Sequence, residues 1–421
     1  MNMLLLKQIW NERKSNAWLW IELLLVTVVL WFVVDMCYVS LRTYFQPKGF
    51  DISNTYLIKI ASLPPHNPDY RDEKEKKTTG GEDLLEIVNR LKKMEGVEAV
   101  SLSSNSYPYN GSNSYFGLSL DTMNVGTLRR EITPDFFKVF RYEGSNGESS
   151  EKLASLLKDG TLIVSDNLFL NSYGLKGEDL LGKTFHIGSD TTQRFVVAAV
   201  TKPVRYNDFR SIYDSRYTAI LMSEKYIAGL GDVYASFLEL CLRVNPAYSV
   251  GFTQRLRKMA DKQLRVGNLF LGKFQSMEAM RKKIHMDDMN ELRNQMWGIG
   301  FLLFNIFLGL LGTFWFRTQH RRSEMALHLT FGSTKKQVFN RLILEGMLLL
   351  VTAMLVGIII SLNIAYMGYL NQMDGKMLSL GRFLITMFIT FILMSITILI
   401  GISFPARQAM KIQPAEALHE E

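Results

Sequence analysis

The sequence predicts an α-helical membrane protein with four transmembrane helices in a 1+3 arrangement, plus a large extracytoplasmic α+β domain inserted between helices 1 and 2. Three observations predict it. Apolar runs lie at 17–39, 294–316, 342–370 and 383–404, and each reaches the ~20 helical residues that cross a hydrocarbon core of about 30 Å. Residues 40–290, between the first run and the second, are mostly polar and alternate between strand-like and helix-like patterns. Lys and Arg are spread unevenly over the segments that join the runs.

Residues 1–16 read as a cytoplasmic amphipathic segment. Helix 1, 17–39, is longer than the ~7–15-residue apolar region of a secretory signal, and Tyr38-Val39-Ser40-Leu41-Arg42 offers no small-residue cleavage site. It is expected to stay as an anchor. It carries Glu22 and Asp35, and the uncharged stretch between them would rise only ~18 Å at 1.5 Å per residue. The helix must therefore extend past both. The expectation is that each acid lies about a turn inside an interface and reaches outward. The sharper alternative is contact with a neighbouring helix, because acids at membrane depth are often functional.

In the insert, 51–60 alternates like a strand, and the charged stretch 64–81 reads as an exposed loop. Residues 83–94 have helical spacing and stop at Gly96. Residues 97–102, 115–120 and 125–132 read as strands, and 133–140 as a short helix with Thr133 as its N-cap. A first subdomain is expected from about 48–143 plus 236–275, with an inserted subdomain at about 144–235. In the inserted part, 151–157 and 166–173 look helical, and 161–164, 183–187, 194–200 and 217–222 look like strands. A strand at 236–244, a helix at 248–263 and a strand at 266–274 follow. The charged stretch 277–295 has no breaker, so 276–293 reads as a continuous stalk into transmembrane helix 2.

Arg317, Arg321, Arg322, Lys335, Lys336 and Arg341 crowd the 317–341 loop against the single acid Glu324. Lys7, Arg13 and Lys14 precede helix 1, and Arg407 and Lys411 follow helix 4. Only Lys376 and Arg382 flank the outer loop. The positive-inside rule puts both termini and the 317–341 loop in the cytoplasm and the insert outside. The net charge of +8 is partly this signal and does not point to nucleic acid.

No catalytic or cofactor site emerges. Gly177–Thr184 (GEDLLGKT) has the spacing of a phosphate-binding loop, but that loop needs a helix starting at its lysine. Here a strand–turn–strand pattern follows Lys183. The six histidines are scattered, with no metal-ligand spacing. Cys37 and Cys241 read as structural thiols. The segment 321–331 is a short, helix-compatible stretch that Gly332 ends, with Met325, Ala326, Leu327, Leu329 and Phe331 apolar. It is suited to dock in a groove of a cytoplasmic partner. Ser333 and Thr334 can cap the next helix.

The same loop resembles that of MacB/FtsX-like ABC transporter permeases, through Arg321, Glu324, Ala326, Gly332, Ser333 and Val338, with Glu345 entering the third span. The tail resembles the family's through Pro405, Ala406, Arg407, Ala409, Pro414, Glu416, Ala417, Leu418 and Glu421. In the insert, ITPDFFKVF (132–140) and GEDLLGKTFHIG followed by FVVAAV are similar to segments of a MacB-like periplasmic core domain. Departures stand at Glu143-Gly144-Ser145-Asn146, at Ala198-Ala199-Val200 and in the Trp-rich first span.

The resemblance implies a multi-pass permease of the bacterial plasma membrane, itself non-catalytic, that works as a homo- or heterodimer. It implies a separate ABC ATP-binding subunit that binds ATP and Mg, and an ATPase-coupling helix comprising Arg321, Arg322, Glu324, Met325, Ala326, Leu327, Phe331 and Gly332. It implies mechanotransmission to the outer domain in efflux or extrusion. A periplasmic adaptor and an outer-membrane channel stay open as partners, beside membrane lipid. Regulation of an extracytoplasmic cell-wall hydrolase is the alternative within the family. A membrane-anchored sensor is the alternative outside it, although its output domain would have to be larger than the 317–341 loop.

Overall fold

The computed structural model describes residues 13–72, 75–188, 190–210, 212–320, 330–368, 370 and 379–409. In chain order, helix α1 (Arg13–Phe45) leads to strand β1 (Thr55–Ser62), helix α2 (Gly80–Lys92), β2 (Val97–Ser104), β3 (Ser114–Leu120) and β4 (Met123–Ile132). Helix α3 (Phe136–Phe140), β5 (Thr161–Ser165), β6 (Thr184–Ile187), β7 (Asp190–Thr201), β8 (Tyr217–Leu221) and β9 (Glu239–Val244) follow. Helix α4 (Phe252–Gln263), β10 (Leu269–Ser276) and helices α5 (Met277–Ile284), α6 (Met286–His320), α7 (Lys335–Tyr366) and α8 (Leu380–Ala409) come last, and further short helices lie between these elements. The chain divides into two compact units, Met1–Tyr44 with Asp288–Glu421, and Phe45–Asp287.

The unit Phe45–Asp287 is built on one ten-stranded sheet, ordered β10-β1-β9-β2-β4-β3-β6-β7-β5-β8, in which β8 returns to pair with β4. Strands β4, β3, β6, β7, β5 and β8 thus form a closed ring, and closure leaves no open edge in that part. Its β4–β8 and β5–β7 pairs are parallel. The division expected at 143/144 runs through this ring, because β6 pairs with β3 and β8 with β4.

Alternation sorts the strand residues between cores, since successive side chains point to opposite faces. Leu240, Leu242 and Val244 of β9, with Ile58 and Ile60 of β1, face α2 and α4. Cys241 and Leu57 face the opposite way, toward α3 and Tyr217. Leu162 and Val164 join Phe185 and Val197 inside the ring.

Local chemistry accounts for the ends of the elements, and for three departures from expectation. Thr79 forms a capping box with Glu82, so α2 begins at Gly80 rather than at 83. Thr133 does not cap α3: its hydroxyl accepts from Leu102 N at 3.0 Å and donates to Leu102 O at 3.1 Å, and Asp135 takes the N-cap position. The helix expected at 248–263 is split by Gly251, whose φ is +68°. The loop 64–81 also hides one charge. Lys76, 3% exposed, lies 2.8 Å from Asp83 and 2.6 Å from Asp232. Burial alone would lower its pKa; hydrogen bonds to Asp232 and Asp83 outweigh that and raise it.

The stretch 277–295 is not one helix. Helix α5 ends at Ile284, His285 takes a non-helical ψ of 8°, and α6 begins at Met286. The reason is packing: His285 is buried, with ring contacts to Tyr109 and Phe209.

In the other unit, α1, α6, α7 and α8 each hold a stretch long and apolar enough to cross a membrane, at Ala17–Phe45, Met286–Thr313, Lys335–Tyr366 and Leu380–Arg407. A core of Leu19, Leu23, Leu349, Ala353, Met394 and Ile398 joins α1, α7 and α8. The stretch in α6 is only 11% buried, against 33–39% for the others, so α6 lies at the rim of the bundle. The expectation for Asp35 is overturned. It does not reach outward. It is 1% exposed and receives Arg382 Nε at 2.9 Å. Arg382, read from sequence as a loop-flanking charge, is equally buried. A charge next to an apolar span leaves water only when a partner is present, and this partner sits 347 residues away, beyond local reading.

Candidate functional site

The expected coupling helix falls mostly outside the described residues: Arg321, Arg322, Glu324, Met325, Ala326 and Leu327 all do. Of the rest, Phe331 is 83% exposed, and Gly332 has φ +92°, which a side chain would strain. Helix α7 then starts in a capping box. Thr334 Oγ1 accepts from Gln337 N at 3.3 Å, and Thr334 N donates to Gln337 Oε1 at 2.8 Å. Thr334, not Ser333, is therefore the cap. The lysine of GEDLLGKT leads into strand β6 at Thr184, so no helix begins at that lysine.

The most developed polar site lies where the sheet unit meets its two chain connections, 46–51 after α1 and 277–285 before α6. The first connection runs along the loop 202–210. Arg205 grips it by backbone: its N donates to Lys48 O at 2.9 Å, its Nε to Pro47 O at 3.1 Å and its Nη2 to Gln46 O. The remaining Nη1 donates to Asp208 O at 3.0 Å. Gly49 has φ +78°, and a Cβ there would lie 2.3 Å from Pro203 O, so close approach of the two strips of backbone requires glycine. The ring of Phe50 then packs on Tyr109, Tyr142 and Tyr206, at centroid distances of 5.8, 6.3 and 6.1 Å. Arg243 fixes the next residue: Nη1 donates to Asp51 Oδ2 at 3.1 Å and Nη2 to Asp51 O at 2.5 Å. Burial would raise the Asp51 pKa, but hydrogen bonds from Ser53 and the Arg243 charge hold it below the usual value.

The second connection meets the same loop through Asp208, whose side chain is 0% exposed. Asp208 Oδ2 accepts from Arg281 Nε at 2.5 Å and lies 3.9 Å from Lys48 Nζ. Its Oδ1 accepts from Tyr109 OH at 2.8 Å. Its backbone N donates to His285 Nε2 at 3.3 Å. Burial and the Asp208 charge push the Tyr109 phenol well up, which keeps it a donor. Burial likewise depresses Lys48, more than Asp208 restores it, and lowers Arg205.

One short loop therefore holds both connections: Arg205 the first, Asp208 mainly the second. The arrangement has no nucleophile set against a base, and among the described residues no His/Cys/Asp/Glu group could hold a metal ion. Charge-assisted bonds at buried sites resist separation more than neutral ones, and Tyr109 ties Asp208 to the core behind it. Reading the sequence did not single out Arg205, Asp208 or Arg281. The nearest signal was His285 in a charged helical stretch, because a buried histidine there forces the helix to turn.

Residues 297–414 match the model of the FtsX-like permease C-terminal family. No curated protein sequence matches the chain. Among solved structures, the chain is similar to the periplasmic region of MacB from Actinobacillus actinomycetemcomitans, at 12% identity and TM-score 0.33 over 56% of this chain and 94% of that one. It is also similar to the extracellular domain of the noncanonic ABC-type transporter YknZ from Gram-positive bacteria, at 15% identity and TM-score 0.30 over 52% of this chain and 100% of that one.

Proposed function

We propose that this chain, an FtsX-like permease by its residues 297–414, is the membrane subunit of an ABC system that turns cytoplasmic ATP hydrolysis into movement of an external domain. The family implies an ATP-binding partner. ATP and Mg belong to that partner, and this chain contributes the coupling surface, the membrane base and the sheet unit. In this reading the four apolar helices span the plasma membrane, both termini and the 317–341 loop are cytoplasmic, and the sheet unit is outside. A second permease, identical or different, completes the base. Extrusion of a substrate from the outer side is the output.

The observation that carries the proposal is the clamp of Arg205 and Asp208 on both chain connections. A domain tethered by two slack linkers would damp a pull from below. A domain whose two connections are bonded to one buried loop turns with them. Force enters at 321–331, where Met325, Leu327 and Phe331 are the apolar anchors and Glu324 the polar one. Regulation of an external hydrolase would use the same transmission and differ only in what the sheet unit engages.

The test is at the input. Replacing Glu324→Arg with Met325→Asp should abolish copurification of the ATP-binding subunit, while the full chain keeps its membrane insertion and its unfolding transition. Copurification at the wild-type level would remove the docking role of this segment.

A further inference from the structure

Helices α1, α7 and α8 meet through a polar seam as well as an apolar core. On α1, Thr27, Trp31 and Asp35 recur every four residues and are all buried, so they share one face. On α8, Arg382, Thr386 and Thr390 do the same. Two contacts zip these faces together. Arg382 holds Asp35 with two nitrogens, Nε at 2.9 Å from Oδ1 and Nη2 on Oδ2, and Trp31 Nε1 donates to Thr386 Oγ1 at 3.1 Å. Phe383 packs its ring edge-on against Trp31 at 5.4 Å. On α7, Gly357 abuts Thr27, where a Cβ would lie 3.2 Å from the threonine methyl. One turn on, Ser361 is fully buried.

Helix α6 contacts its neighbours differently. Ile306 and Leu310 join the apolar core, and Gly309 and Gly401 are the close-approach points, to Glu22 and Leu310. Trp315 also stacks on Phe404 of α8 at 5.8 Å. Packing of rings and apolar side chains over small residues gives way gradually when one helix slides on another. A bidentate ion pair does not, and separating it breaks two charge-assisted bonds at a buried site.

We propose that Asp35 and Arg382 are positioning residues that latch α1 to α8, so that α1, α7 and α8 move as one block and α6 is the helix that shifts against them. The proposal rests on the transmission reading above. It names which of the two helices joined to the sheet unit is fixed and which is the lever.

The experiment uses the full chain with its ATP-binding subunit in lipid nanodiscs, in a Cys37→Ala, Cys241→Ala background. Spin labels at Val29→Cys with Leu384→Cys report α1–α8, and at Val29→Cys with Phe304→Cys report α1–α6. These sites are exposed. Between the nucleotide-free and ATP-trapped states, the α1–α8 distance should stay fixed and the α1–α6 distance should shift. An α1–α8 shift as large as that of α1–α6 would overturn the latch.

The second arm needs no nucleotide. Arg382→Gln should broaden the resting α1–α8 distribution, and the exchanged pair Asp35→Arg with Arg382→Asp should narrow it again. A narrow distribution in Arg382→Gln, or no recovery in the exchange, also overturns the latch. If neither distance responds to trapped ATP, the transmission reading and α6 as lever both fail, while the resting distributions still decide the latch by themselves.

Discussion

Arg205 illustrates how much a single side chain can do when its geometry suits the backbone around it. Its guanidinium serves three carbonyls on two segments, Gln46, Pro47 and Asp208, which is a planar fork used in full. Lysine keeps the charge but offers one nitrogen, and cannot reach all three. Arg205→Lys should therefore cost about 1–3 kcal/mol, from buried and part-buried carbonyls that lose their guanidinium donors. Arg205→Lys should lower the denaturant midpoint of the sheet unit without changing the slope of its transition. A loss under about 0.5 kcal/mol, the range of ordinary surface changes, would show that the clamp holds nothing. Residues of this kind were not legible in the sequence. Arg205 and Asp208 look like any other charges until the fold supplies partners dozens or hundreds of residues away, and composition does not register burial; Asp35 stood out by its place in an apolar run, but its partner Arg382 did not. Gly49 belongs with them, since its need for φ +78° arises only because Pro203 lies against it.

Elements were more legible than residues, for reasons that differ between helices and strands. The apolar helices announce themselves because about 20 consecutive apolar residues have few other uses. Strands β1, β2 and β9 show their two-residue period because each separates two cores. Pairing order is another matter. The return of β8 to β4, which closes the ring, depends on register between segments about 90 residues apart, and no local pattern encodes that. Helix ends failed where a side chain had a better offer: Thr133 bonds to Leu102 across the sheet instead of capping α3. The break at His285 is the same lesson in reverse, a helical pattern interrupted by a core contact. At this scale the account predicts that residues 45–285, purified alone, unfold in one cooperative step, because the three cores of this unit share strands. Denaturation followed by far-UV and near-UV circular dichroism should give coincident curves. The same fragment should show no saturable ATP binding by calorimetry, since the turn before β6 presents a strand where a phosphate site needs a helix N-terminus.

For the whole molecule, the uneven spacing of the apolar helices takes on a mechanical sense. One helix precedes the sheet unit and three follow it, so both connections of the sheet unit lead into membrane-length helices. In the proposed transmission the clamp couples both connections to the sheet unit, and the seam between α1 and α8 sets which membrane helix is held. The central claim is that ATP use by the partner moves the sheet unit through that clamp. The most direct measurement is single-molecule fluorescence transfer between a dye on the sheet unit and one on α8, in the full complex, for the natural chain and for Arg205→Ala with Asp208→Ala. The account predicts an ATP-dependent shift in the natural complex, and continued ATP hydrolysis with no shift in the clamp variant. A sheet unit that stays still in the natural complex, or one that moves equally well without the clamp, would contradict it.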